Sequence, residues 1–444
     1  MITNLRQTKY APPKPLEVSW DGFRGGLNLF LRQTELKGNE LAQADNLLLT
    51  GLGLPTKRWG SQDYFLAGAT GYGRGLVDAK SITDTREILA LTDWGYLTKQ
   101  NGASYTMITG ASWPSGYNME GTQLNNTIYL VNSQKPFVKY DFTNLVAFDA
   151  LTTPAGVAAS NISGATGLTT WSWRVAATSK TGETLASTAI SLASLPQNLN
   201  DTMIRITWSM VSGPSGTLTG YNVYRGAQGD ETWVAGVDDT TTRYDDTGIT
   251  ASLLTLPSTA NTTDGPKAKY IIRFEDRLIL AGITDEPTKV YISGRVPNHE
   301  RFDAYGGGGY IYVDPDTGDN ITGLGIWRGK IIVYKENSVW QVTLGTVAIG
   351  NYTILDPSYQ LITASQGCSN SRTVVAVNND LFSVNRRGIF LLGQQPNVGG
   401  EQLWSNEISA KIRPFFDSLT QNDLNGTCAE FFDYKFIVAF PESK

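Results

Sequence analysis

The residues able to carry chemistry are few and scattered. The chain of 444 residues has one histidine, His299, and two cysteines, Cys368 and Cys428. A zinc site built from His and Cys needs several ligands at one point, and these three residues supply too few without heavy use of carboxylates. A Ser-His-Asp triad could take only His299 as its base. Its setting, Pro297-Asn-His-Glu-Arg-Phe302, reads as a surface or interface stretch. The cysteines lie 60 residues apart, and each is expected to be a free buried thiol.

Other motifs fail on spacing or context. Gly325-Ile-Trp-Arg-Gly-Lys330 has the flavour of a phosphate loop, but it is one residue short and Ile331 stands where a Ser or Thr is required. It also sits in a hairpin pattern, not at a strand-to-helix turn. Asp314-Pro-Asp-Thr-Gly-Asp319 offers three carboxylates that could hold Ca²⁺, yet the spacing matches no EF-hand loop and suits a structural turn. Gly306–Gly309 reads as a loop tip, and Asp238, Asp239, Asp245 and Asp246 as turn residues. Arg386-Arg387, the only adjacent arginine pair, reads as a hairpin turn. Trp171 and Trp173 point to one face of a strand and are expected in a core. The alternative is a sugar-stacking platform shared with Trp233. No two of the acids are singled out as a glycosidase pair. No catalytic, cofactor or metal residue is assigned, and no enzymatic activity is expected.

The elements that would position a site are strands. Charged residues make up 17% of the chain, while Gly numbers 46 and aromatics 11%; low charge with many turn formers and β-branched or aromatic residues favours sheets. Alternating apolar runs flank two polar residues at Asn125-Asn126, Glu275-Asp276, Arg328-Gly329 and Asn378-Asn379, with weaker copies near Asp84 and Asp433. This is a strong hairpin signal. Turns taken at 84, 126, 276, 329, 379 and 433 are 42, 150, 53, 50 and 54 residues apart. Four of these gaps match the ~40 to 55 residues of a four-stranded propeller blade. The fifth is longer by about 100 residues, the size of one β-sandwich.

That excess falls within residues 154–262. Thr170–Ser187 resembles the last two strands of a fibronectin type III module, and Ile204–Ser209, Gly220–Arg225 and Thr242–Gly248 resemble its middle strands, with the usual C-terminal hairpin placed first. The expected fold is therefore all-β: a β-propeller of four-stranded blades with an inserted immunoglobulin or fibronectin III-like sandwich. Residues 1–62 form an extended arm and a short helix at Asn39–Asn46. Residues 63–153 form the first blades, 154–262 the sandwich, and 263–444 the remaining blades. The prolines Pro12, Pro13 and Pro15 keep Tyr10–Leu16 out of helix and central strand. Ser405–Leu419 is expected as two short helices split near Pro414. After Phe440 only four residues remain, so the last blade needs a strand from the N-terminal region or from further chain.

Trp20–Asn28, Asn39–Asn46 and Lys57–Gly60, together with Ile321–Trp327, Lys335–Gln341 and Val384–Phe390, are similar to segments of tailed-bacteriophage β-propeller virion proteins of the tail nozzle or hub type. The resemblance implies a structural tail component beneath the portal and adaptor, in a ring of copies of itself, expected as a hexamer, around the DNA ejection channel. It also implies contacts with the adaptor or head-to-tail connector and with tail fibre or spike proteins. Its place would be the virion tail, after assembly in the bacterial host cytoplasm. The start Met1–Tyr10 lacks the apolar stretch of a signal peptide, and no run approaches a membrane span. With 41 acids, 36 Lys and Arg and net charge −5, tight DNA binding is not expected. The alternatives are a glycan-binding or glycan-cleaving propeller and a receptor-binding or fibre-attachment virion protein.

Overall fold

In the computed structural model, the described residues are 25–44, 47–49, 55–57, 73–101, 104–213, 217–252, 254–257, 263–303, 306–349, 352–394 and 403–441. The proline arm at 10–16 and the boundary at 62 lie outside them. The described chain is all-β and is dominated by four-stranded antiparallel sheets.

Five of these are meanders in which each strand pairs with the next. They comprise residues 73–108, 120–147, 270–312, 321–363 and 375–407, and a sixth sheet of two strands, Cys428–Phe432 and Lys435–Ala439, follows. The local cause is turn chemistry. Asn125, Glu275, Arg328, Asn378 and Asp433 all take positive φ, between 45° and 56°, as the first residues of two-residue turns whose flanking strands stay in register. The expected hairpins at 126, 276, 329, 379 and 433 are thus present, and fourth strands such as Gly309–Tyr312 and Leu403–Glu407 complete the meanders.

Second strands show how the sheets stack. Every residue of Arg277–Ala281 is buried, as are Ile128–Val131 and Ile331–Lys335. A strand buried on both sides must be covered on both faces of its sheet. One cluster, with Leu89, Leu91, Ile128 and Leu130, fills the space between the first and second sheets. A second, with Tyr129, Phe137, Leu278 and Leu280, lies between the second and third. A third, with Ile279, Val290, Ile331 and Val333, lies between the third and fourth, and Ile332, Tyr334, Leu381 and Leu392 join the fourth to the fifth. The first strands of successive sheets run side by side through the whole series. Their approach needs glycine: a Cβ on Gly121 would lie 2.7 Å from both Val77 and Leu130, and one on Gly323 would lie 3.0 Å from Ser371 and Cys368.

Residues 158–246 build two further sheets. One has the order Ala158–Ser163, Met203–Thr207, Arg243–Asp246; the other runs Ile190–Leu195, Thr169–Ser179, Leu218–Gly226, Thr232–Val237. Trp173, Val175, Ile204, Ile206, Trp208 and Tyr221 are buried in one cluster between them.

Several expectations need correction. Glu40–Leu41 is a short strand parallel to Gly26–Leu27, not part of a helix; residues 45 and 46 lie outside the described residues. Ser405–Glu407 belongs to a strand pairing with Phe390–Leu392. Within 405–419 the helical residues are Ala410–Ile412 and Arg413–Asp417, the latter with Pro414 in its first turn. The sixth sheet has two strands among the described residues; residues 1–24, which the expectation of a completing N-terminal strand includes, lie outside them.

Candidate functional site

The densest polar cluster lies where three parts of the chain meet. Glu300 is buried and its two carboxylate oxygens accept from Lys139 at 3.0 and 3.2 Å, from Lys180 at 2.5 Å and from the Tyr129 hydroxyl at 2.9 Å. Tyr129 and Lys139 come from the second sheet and Lys180 from the tip of the sandwich hairpin. Glu300 follows the strand Lys289–Ile292 of the third. Because the one Tyr129 proton goes to Glu300, the 2.7 Å contact with His299 requires that His299 Nε2 donate to the Tyr129 oxygen. His299 is therefore half-buried at an internal junction rather than a surface residue. Burial holds its pKa below the ordinary value, which leaves it neutral near pH 7.

Burial alone would raise the Glu300 carboxyl, but the Lys180 hydrogen bond and the Lys139 and Lys180 charges hold it below the ordinary carboxylate range. Tyr129 moves upward through burial and the neighbouring Glu300 charge, so it stays protonated. Three donors make four contacts with the two Glu300 oxygens. The arrangement ties the sandwich to two sheets; it does not poise a proton for transfer.

A second cluster sits between the first strands. Glu120, at the start of the second sheet, accepts from the Ser371 hydroxyl just ahead of the fifth. Burial pushes the Glu120 carboxyl up to about 7, against the pull of Ser371, Arg372 and Lys269; the residue nevertheless keeps some exposure. Nearby Cys368 is buried, and burial raises its thiol to about 12 despite the Thr322 hydroxyl beside it. It is inert, as expected of a core thiol. Cys428 departs from the expectation: it is exposed on the outer face of the sixth sheet.

The acidic turn at 314–319 serves a buried lysine. Lys335 is fully buried; its ammonium donates to the Asp314 carbonyl at 2.8 Å and lies 3.9 Å from the Asp314 carboxylate. Asp319 accepts from the Asn337 backbone and the Ser338 hydroxyl. Among the described residues no group of three or more His, Cys, Asp or Glu is placed to hold a metal ion. Gly325–Lys330 is strand, turn and strand, with Arg328 and Gly329 in the turn. Arg387 is held at its hairpin by Asn385 and the Ser365 carbonyl.

In the sandwich, Trp173 is fully buried and Trp171 half-buried against the same core. Trp233 pairs with Tyr224, which is in register with Arg174, so it shares the opposite face and bonds Asn222. The three tryptophans form no common platform. Sequence reasoning missed Asp246, read as a turn residue. It is a fully buried strand residue that accepts from Trp173 Nε1 at 2.9 Å and from Arg225 at 2.7 and 3.0 Å. Asp245 likewise lies in the strand and accepts from Nε and Nη2 of Arg205. Asp238 does cap a turn, through Thr240. No local signal marked Asp246, because its partner Trp173 lies 73 residues away in sequence.

No helix among the described residues is long and apolar enough to cross a membrane. No protein-family model matches the chain, and no curated protein matches it.

Proposed function

We propose that the six sheets are blades of a β-propeller carrying residues 154–262 as an inserted fibronectin III-like sandwich. On this reading the chain is a structural component of a bacteriophage tail, of nozzle or hub type. Copies of it would ring the DNA ejection channel below the portal and adaptor. The observation that carries this reading is the serial face-to-face stacking of the sheets with their first strands side by side. Sheets covered on both faces make a stiff body. Insertion is supported by Leu151 and Thr263, whose 2.6 Å hydrogen bond brings entry and exit of the sandwich together.

The polar groups support a mechanical role. The buried charges Glu300, Asp246 and Lys335 are all engaged within the chain. Glu120 of the first strand of the second sheet meets Ser371 just ahead of the fifth, a contact that argues against a passage for a duplex there. The proposed DNA channel lies between copies, not within one chain. A glycan-stacking role loses its platform with Trp171 and Trp173 in the sandwich core.

Gold-labelled antibody against the chain tests the reading. Label at the tail of purified virions, below the head, is the expected result. Label absent from virions, with sugar binding or hydrolysis by the purified protein, would replace it with the glycan reading.

A further inference from the structure

The sandwich joins the sheets through a narrow neck. The Gly265 amide donates to the Phe148 carbonyl at 3.0 Å, and the Leu151 amide donates to the Thr263 hydroxyl at 2.6 Å. Phe148 belongs to the core between the second and third sheets, Leu151 to the core of the sandwich. On the entering segment Asp149 and Ala150 alone separate these two anchors, and Ala150 is exposed.

Apolar packing divides at this neck. Among the described residues the sandwich cluster draws on Leu151 and on residues between Val157 and Tyr244, and none of these enters the four clusters of the sheets. Units that share no hydrophobic core move relative to one another unless something else holds them. The tip of the hairpin after Thr169–Ser179 supplies two polar ties. The Thr181 hydroxyl donates to the Thr263 carbonyl at 2.5 Å, at the neck itself, where a rotation displaces atoms least. Lys180 reaches away from the neck to Glu300, at 2.5 Å.

Breaking the second tie strands no charge. Lys139 and Tyr129 belong to the second sheet and stay with Glu300. Lys180 is already 38% exposed and turns to water, so the pair is a weak one. We propose that the sandwich is a hinged arm that pivots at Asp149-Ala150 of the neck, with the Lys180–Glu300 pair as the releasable latch that holds it against the sheets. Its reach is considerable. Thr169–Ser179 has 11 residues, about 36 Å at ~3.3 Å per residue, so a pivot of about 10° carries the far end by roughly 6 Å.

Double electron–electron resonance in the full chain tests the latch. Nitroxides go on Cys428, which is exposed while Cys368 is buried, and on Asp230→Cys, an exposed turn position at the far end of the sandwich, just before Thr232–Val237. The expected result is one dominant distance with a minor displaced population. Lys180→Met should raise that population roughly two- to fivefold. Lys180→Glu, which sets like charge against Glu300, should raise it further, and Lys180→Arg should return it to the parent value. Sodium chloride at ~1 M should shift the parent in the same direction. A distribution unchanged in both Lys180→Met and Lys180→Glu would overturn the proposal, because the sandwich would then be fixed by other contacts. A parent distribution already as broad as that of Lys180→Glu would equally overturn it, because Lys180 would then hold nothing.

Discussion

Glu120, in the first strand of the second sheet, and Ser371, just ahead of the fifth, are 251 residues apart in sequence and share a hydrogen bond. The consequence is a pH dependence opposite to that of most carboxylates. Burial raises the folded Glu120 pKa from 4.5 to about 7, so the folded state holds this proton more tightly than the unfolded chain. The stabilisation is fully present below 4.5 and is lost as pH rises through about 7. Discounted for partial exposure, it amounts to about 1–2 kcal/mol between pH 5 and 8. Glu120→Gln keeps a polar partner for Ser371 and cannot ionise. It should melt above the parent at pH 8 and near it at pH 5, in thermal scans across that range.

Glu300 acts in the other sense. Its folded pKa is lowered, so its contribution is present above the unfolded value and is lost as pH falls through the folded one. Glu300→Ala leaves Lys139 and Lys180 without their shared partner and should cost about 3 kcal/mol in denaturant titrations at pH 7. Lys180 is 38% exposed and can turn to solvent, so Lys180→Met should cost about 1 kcal/mol or less.

The sequence disclosed the hairpins because each two-residue turn is a local event: Asn125 and Asn378 tolerate the positive φ they take, Gly329 supplies it beside Arg328, and the flanking apolar runs are continuous. The long gap in the spacing of the turns falls where residues 158–246 build two further sheets. The residues that tie the parts together were not legible, because Glu300 with Lys180, or Asp246 with Trp173, share no sequence neighbourhood. Local propensity also misled. Glu40 lies in a stretch with good helix formers, yet Asn28 and Lys411 hold its carboxylate beside a strand. Ser405–Glu407 looked helical until paired with Phe390–Leu392.

Residues 154–262, expressed alone, should melt in one cooperative transition, since their core between the two sheets is built almost wholly from within that span. Within it, Asp246→Ala would strand the buried Arg225 guanidinium and the Trp173 Nε1 donor, at about 3–5 kcal/mol. Circular dichroism and proton NMR of both fragments check this: a folded parent and a largely unfolded variant are expected.

The proposed conduit must let DNA slide. With 41 acids against 36 Lys and Arg and net charge −5, the chain as a whole does not draw phosphate to it electrostatically. Fluorescence anisotropy with a duplex at ~150 mM salt should give binding weaker than micromolar and a shallow salt slope, where Z neutralised phosphates would give about −0.9Z. Tight binding with a steep slope would indicate a chain that grips DNA.

The most direct measurement of the central claim is negative-stain electron microscopy of the purified protein, alone and with its virion. The account predicts closed rings of copies with an opening between them wide enough for a duplex, and matching density at the tail below the head. Particles that stay single at all concentrations, with no counterpart in the virion, would contradict it.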